Sequence, residues 1–349
     1  KKLCGRPRQT YQLLLRSIKV REITIITGIR RSGKSTLMYQ MIKRLIEDKI
    51  DPYQILFVNL DDKKVIGDSL DDIYMTYRQN LNPDKKAYIF LDEIHRKEGW
   101  ESWIRKKYDL RSDVKFVISG SCSYLLKKEF STLLTGRNIS FEVMPLSFQE
   151  VLAFNDIELK ENNIKKGIMT EKTRINILNR LKRFLTIGGF PEIQFKEEEY
   201  KIKVLEQYFD DILYKDLVDR YNLNTKKIKD TALFLMTNFT SIVSLRNIRN
   251  SLGLSYDSIK DYLHYYREAF LFFTLDHFSY SFKEQKTLPS KTYCIDNGLR
   301  NAVSFKFSED YGKLTENLVF VELKRREKDI YYWKNKGEVD FVIKNKDNS

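Results

Sequence analysis

The sequence predicts an α/β core, a parallel sheet with helices on both faces, followed by a mainly helical stretch and a return to mixed α/β. Three observations predict it. Over the first 145 residues, short apolar runs rich in β-branched residues alternate with segments of helical periodicity. One of these runs ends on a glycine and passes into the pattern G-x-x-x-x-G-K-[ST] at residues 28–35. After about Pro145 the alternation gives way to helical patterning.

In order, residues 8–17 read as a short helix and Arg21 to Thr27 as a buried strand. A helix over 34–49 follows from the spacing of Leu37, Met38, Met41, Ile42 and Leu45. Further strands are expected at 55–58, 87–91, 114–118 and 139–143. Strands that are apolar throughout, separated by helices, belong in a parallel sheet covered on both faces. Residues 147–217 read as mostly helical with a break at Gly188-Gly189-Phe190-Pro191, and 226–282 as three helices and a hairpin. Near the end, a helix at 311–326 and strands at 329–333 and 338–343 are expected. This divides the chain into 1–145, 146–225, 226–283 and 284–349.

At 349 residues the chain is long for one domain, and 42% hydrophobic residues with 13% aromatics suffice for real cores. Lys1 is not an initiator methionine, and residues preceding it are expected. There is no signal-peptide pattern. The longest uncharged stretch, Thr231 to Leu245, is too short and polar for a membrane span, so no membrane is expected. Cys4, Cys122 and Cys294 make neither a zinc pattern nor a disulfide framework, which fits reduced thiols and a cytoplasmic protein. Net charge is +14: residues 1–145 carry 28 basic against 18 acidic side chains, 146–224 carry 13 against 14, and 225–349 carry 21 against 16. Such a field attracts polyanions, nucleic acid as well as nucleotide, or is simply a solvated lysine-rich surface.

The pattern at Gly28-Ile29-Arg30-Arg31-Ser32-Gly33-Lys34-Ser35 is a complete P-loop between a strand and a helix. Its glycines let backbone N–H groups curl around phosphate oxygens, and the following helix adds its positive end. Lys34 is expected on the β- and γ-phosphates of ATP, Ser35 on Mg²⁺, and Thr36 on the α-phosphate. Arg30 and Arg31 either add positive potential or point outward. A second apolar strand ends in Asp92-Glu93, at the edge where open parallel sheets bind ligands. Asp92 is the expected Mg²⁺ ligand, through water, and Glu93 the group that orients or activates the attacking water. A third strand runs into Ser119-Gly120-Ser121-Cys122; Ser121 is either a contact to the γ-phosphate region or a helix N-cap. Arg137, before the last strand, is either a transition-state arginine, for its own nucleotide or a neighbour's, or a solvated surface residue.

These residues resemble a group of prokaryotic ATPases within the AAA+ and STAND-like P-loop class. The likeness runs through G-I-R-R-S-G-K-S-T, F-L-D-E-I-H, I-S-G-S and L-L-T-G-R to M-P-L-S-F-Q-E at Met144 to Glu150, the motif most specific to the group. It continues through Gly188 to Glu192, Tyr208 to Leu217, Leu314 to Leu323, and Gly337 to Phe341. The resemblance implies a P-loop NTPase core at 1–145, a helical lid at 146–225, a winged-helix-like segment at 226–283, and part of a restriction-endonuclease-like domain at 284–349. Ser244 to Leu252 and Ser255 to Arg267 match the two helices of a helix-turn-helix around Gly253, but the charges on the second helix nearly balance. Glu316 and Asp340 match two of the nuclease Mg²⁺ ligands; no Glu-x-Lys follows Asp340 before Ser349, so the sequence does not support nuclease activity, and a scaffolding role suits this segment equally.

The expected activity is Mg-dependent ATP hydrolysis driving a conformational switch, with the lid closing on ATP. The alternative is a nucleic-acid-binding regulator or nuclease-like effector with ATP as a conformational ligand. Candidate partners besides ATP are DNA, a second copy of the chain or another protein.

Overall fold

Five strands of the first unit, Lys1–Val143, are laid down one per apolar run: β1 (Ile23–Thr27), β2 (Ile55–Asn59), β3 (Ala87–Asp92), β4 (Val114–Gly120) and β5 (Asn138–Glu142). The computed structural model describes residues 5–65, 67–110, 112–122, 134, 136–157, 170–304 and 310–344. The five strands form one sheet in the order β2-β3-β4-β1-β5, every pairing parallel.

The pleat explains why the central strands are apolar on both faces. Ile25, Ile89 and Phe116 point to one side, where α3 (Leu70–Asn80) contributes Tyr74 and Tyr77 and α4 (Trp100–Leu110) contributes Trp100 and Ile104. Ile26, Phe90 and Val117 point to the other, against Leu14 and Ile18 of α1 (Tyr11–Ile18) and Leu37, Met38 and Met41 of α2 (Lys34–Glu47). β2 and β5 are the sheet's edges and are only partly covered. Because β1 lies between β4 and β5, with β3 beside β4, the carboxyl ends of β1, β3 and β4 open side by side.

The second unit, Met144–Ser349, begins with the M-P-L-S-F-Q-E motif, whose local role is a capping box. Ser147 accepts from the Glu150 amide at 3.1 Å and Glu150 returns a bond to the Ser147 amide at 2.9 Å, starting α5 (Phe148–Phe154). Then follow α6 (Glu171–Ile187), α7 (Pro191–Phe195) and α8 (Glu198–Asp211), which runs on through a π-helical segment, Ile212–Val218. α9 (Thr225–Thr237), α10 (Leu245–Leu252) and α11 (Tyr256–Glu268) are the three helices expected for 226–282. Gly253, at φ 65, ends α10, and Ser255 caps α11.

The hairpin expected in 226–282 does not form. β6 (Ile242–Val243) and β7 (Phe272–Leu275) both pair antiparallel with β8 (Ser290–Cys294), which lies between them. The sheet therefore crosses the boundary expected at 283/284. Strand partnership is set by tertiary burial of Thr292, Tyr293 and Cys294, which local periodicity does not reveal. α12 (Phe282–Thr287), α13 (Asn297–Val303) and α14 (Tyr311–Arg325) surround this region, and β9 (Asp329–Lys334) and β10 (Glu338–Lys344) close the chain as a bulged antiparallel hairpin.

Asp296 ties the unit together. Its buried carboxylate caps α13 through the Leu299 amide at 3.0 Å and accepts the Gly189 amide at 2.6 Å, while the Gly189 carbonyl accepts the Leu146 amide at 2.7 Å. A Cβ at Gly188, whose φ is 72, would lie 1.9 Å from Asp296 Oδ1, which accounts for a glycine at that break. Among the described residues no helix is long and apolar enough to cross a membrane.

Candidate nucleotide site

The loop between β1 and α2 is shaped by close backbone approach. Gly28 has φ 143, and a Cβ there would lie 2.1 Å from the Val143 carbonyl oxygen beyond β5, so only glycine passes. Arg31 at φ 68 and Gly33 at φ 102 then turn the chain into α2. Gly33 is an N-cap without a side chain, so the first amides of α2, from Lys34, Ser35 and Thr36, have no intrahelical acceptor and face the loop's mouth. Lys34 is buried, and its ammonium curls back to the carbonyls of Gly28 at 2.9 Å and Ile29 at 3.2 Å. The hydroxyls of Thr27 and Ser32 are buried without a hydrogen-bond partner among the described residues, polar atoms left over in a loop of phosphate-binding shape. Arg8 reaches the loop from the N-terminal side and donates to the Ser32 carbonyl at 3.0 Å.

Asp92 closes the site from β3. It is buried, and its carboxyl accepts the hydroxyl of Ser119, with Ser35 nearby on the P-loop side. Burial, and then the charge of Glu93, hold its pKa above the usual carboxylate range, against the opposing pull of Ser119, Ser35 and Lys34. Two neighbouring hard oxygen side chains, Ser35 and Asp92, fit a Mg²⁺ ion between P-loop and β3. Tyr39 faces the same acid from α2; burial, then Asp92, raise its pKa. Glu93 sits in the left-handed region at φ 55 and donates its amide to Ser119 Oγ at 3.2 Å, and its Oε2 lies 3.4 Å from His95 Nδ1.

The strand ends thus bring together Gly28, Ile29, Arg30, Arg31, Ser32, Gly33, Lys34, Ser35, Thr36, Asp92 and Glu93 at one edge of the sheet. Ser121 lies at the same edge, buried, just beyond β4. A serine that touches both acids is Ser119, the first serine of the I-S-G-S run, where the sequence points to Ser121. Register decides this: Leu91 pairs with Ile118, so the next position on each strand sets Asp92 beside Ser119.

Arg137 corrects an expectation. It precedes β5 at the end where Asn138 pairs with Ile23, the opposite end of the sheet from the P-loop. Five strand residues at roughly 3.3 Å each separate the two ends. Its guanidinium is paired with Asp109 at 3.0 Å, so it does not contact the nucleotide site of its own chain.

Glu316 and Asp340 do converge, and on a residue that no motif marks. The ammonium of Lys291, on β8, lies 3.1 Å from Glu316, 2.6 Å from Glu338 and 2.7 Å from Asp340. Tyr293 donates to Glu316 at 2.7 Å. Burial alone would lower the Lys291 pKa; hydrogen bonds to the three acids raise it instead. The nuclease pattern expects a lysine after Asp340, whereas the fold supplies one from an earlier strand. Among the described residues no three His, Cys, Asp or Glu side chains are arranged to hold a metal ion.

Comparison with known proteins agrees with this architecture. Residues 20–152 match a family described as an AAA domain, and residues 178–310 match a domain of unknown function. An uncharacterized protein of Methanocaldococcus jannaschii is 36% identical over 335 residues, covering 92% of this chain and 72% of that protein. An uncharacterized protein of Haemophilus influenzae is 29% identical, covering 93% of this chain and 80% of its own length. The solved Walker-type ATPase of Pyrococcus abyssi superposes with a TM-score of 0.52 at 12% identity, covering 86% of this chain and 98% of that one, a likeness of fold. The chain belongs to the same family as the Methanocaldococcus protein, a prokaryotic family built on an AAA domain with a P-loop core.

Proposed function

We propose that the protein binds Mg-ATP in the P-loop, hydrolyses it to ADP and phosphate, and uses the cycle as an AAA+-like conformational switch. The observation that carries this reading is the meeting of a buried Lys34, folded back on the P-loop carbonyls, with the buried Asp92 at the end of β3, a pairing suited to a phosphate-and-metal site. In this reading the amides of residues 33–36 and the Lys34 ammonium hold the β- and γ-phosphates, and Ser35 and Asp92 hold Mg²⁺. Bound Mg²⁺ supplies neutralisation of the charge that develops on the transferred phosphoryl group. Glu93 takes up a proton from the attacking water, and Ser119 fixes both acids relative to β4. Ser121 borders the γ-phosphate region. Arg137 has a role only toward a neighbouring copy's nucleotide. The test is phosphate release by the full chain: Glu93→Gln should bind Mg-ATP and turn it over at least about a hundredfold more slowly, as removal of a general base does. Turnover at the wild-type rate would remove Glu93 from this role.

A second reading, a nuclease-like effector that binds DNA through its basic surface, is favoured by one observation, the meeting of Lys291 with Glu316 and Asp340. That trio has the residue types of a Mg-dependent phosphodiesterase, although the ammonium fills the space a metal would take. It requires DNA retention that weakens steeply with salt and Mg-dependent cleavage lost in Asp340→Asn. Absence of both removes it.

A further inference from the structure

We propose that His95 is a positioning residue for Glu93, anchoring one oxygen of its carboxylate so that the other stays aligned on the attacking water. The inference rests on the hydrolytic reading above. After Asp92 the chain turns sharply: Glu93 adopts φ 55, ψ 47, and a single 3-10 turn, Ile94–Arg96, brings residue 95 back beside it. The turn is pinned around His95. Ile94 is fully buried in the core beneath the sheet, the Arg96 amide donates to the Glu93 carbonyl at 3.0 Å, and its guanidinium pairs with Asp61 at 2.9 Å. Lys97 donates to the Val65 carbonyl at 2.8 Å. With its neighbours fixed, the His95 ring stands against Glu93, both side chains largely covered at 7% and 14% exposure.

Glu93 Oε2 is inaccessible and makes no hydrogen bond among the described residues. A buried carboxylate oxygen without a partner is costly. The nearest candidate donor is His95 Nδ1 at 3.4 Å, slightly beyond good hydrogen-bond length, so a small rotation of either side chain closes the bond. A base oriented by a third group is the recurrent arrangement for activating a nucleophile. It matters because a displacement of about 1 Å in a reacting group costs about a hundredfold in rate. His95 acts here through Glu93 and need not touch the nucleotide.

The experiment compares steady-state phosphate release and binding of a fluorescent ATP analogue for full chains carrying His95→Ala, His95→Asn, His95→Gln, Glu93→Gln and the double change His95→Ala with Glu93→Gln. Loss of the anchor in His95→Ala should lower kcat by about ten- to a hundredfold, leaving KM and analogue affinity within about twofold. His95→Asn, whose amide nitrogen stands where Nδ1 stands, should restore most of the rate, whereas His95→Gln, one carbon longer, should not. In the Glu93→Gln background His95→Ala should add nothing further, because both changes remove one function. If His95→Ala fails to fold, the Asn and Gln variants make the same comparison. A wild-type kcat in His95→Ala or His95→Gln, or multiplicative losses in the double variant, would overturn the proposal while leaving the hydrolytic reading intact. Wild-type turnover in Glu93→Gln would overturn that reading and this inference with it.

Discussion

Ser119 does two jobs with one hydroxyl: it donates to the Asp92 carboxylate and accepts the Glu93 amide. Its removal leaves the buried Asp92 carboxylate short of a partner, at a cost of about 1–3 kcal/mol, and the part-buried Glu93 amide without its acceptor. Ser119→Ala should therefore lower stability by that order in urea unfolding and also slow ATP turnover; unchanged values for both would deny it the bridging role. Residues at this scale are legible where chemistry is written in consecutive positions. The P-loop is eight adjacent residues, and Asp92 and Glu93 end one strand. Residues joined only by register or by chain reversal are not legible. Ser119 rather than Ser121, Lys291 beside Glu316 and Asp340, and Arg137 at the far end of the sheet all follow from which strand lies next to which.

Among the elements, the turn from β1 to α2 carries the tightest constraint. Gly28 packs against the backbone just beyond β5, so its place is fixed by the sheet order as much as by the nucleotide. Gly28→Ala forces either the loop or residue 143 to move and holds an alanine at φ 143. A strained position of this kind costs on the order of 1–3 kcal/mol, and Mg-ATP binding should weaken with it. An alanine variant with unaltered melting temperature and affinity would show that the loop is not wedged against β5. Some helix starts are readable because periodicity and caps coincide, as at Ser244 and Ser255, whereas the first helix, expected from residue 8, starts at Tyr11. The pairing of β6, β8 and β7 is not, because a two-residue strand has no period and β8 comes nearly fifty residues after β6.

For the molecule as a whole, stability should carry the signature of Asp296. Burial pushes its carboxyl up to about 6, with the amides of Gly189, Leu299 and Gly298 pulling the other way. Between the ordinary pKa near 4 and about 6 the folded chain holds a proton that the unfolded chain has released, so stability falls as pH rises through this window. The loss is on the order of 3 kcal/mol, since a pKa difference of one between folded and unfolded chain is worth about 1.4 kcal/mol. Asp296→Asn has no such titration. The unfolding free energy of wild type minus that of Asp296→Asn should therefore decrease from pH 4 to pH 7 and level off; a flat difference would mean that the carboxyl is not buried as described.

The central claim is a phosphate-and-metal site made by Lys34, Ser35 and Asp92. Isothermal titration of the folded chain with Mg-ATP, alongside Lys34→Ala, tests it most directly. Saturable binding of one nucleotide per chain, lost in Lys34→Ala while the melting temperature without nucleotide is kept, is the predicted result. No heat of association in the wild type, or equal affinity in Lys34→Ala, would contradict it.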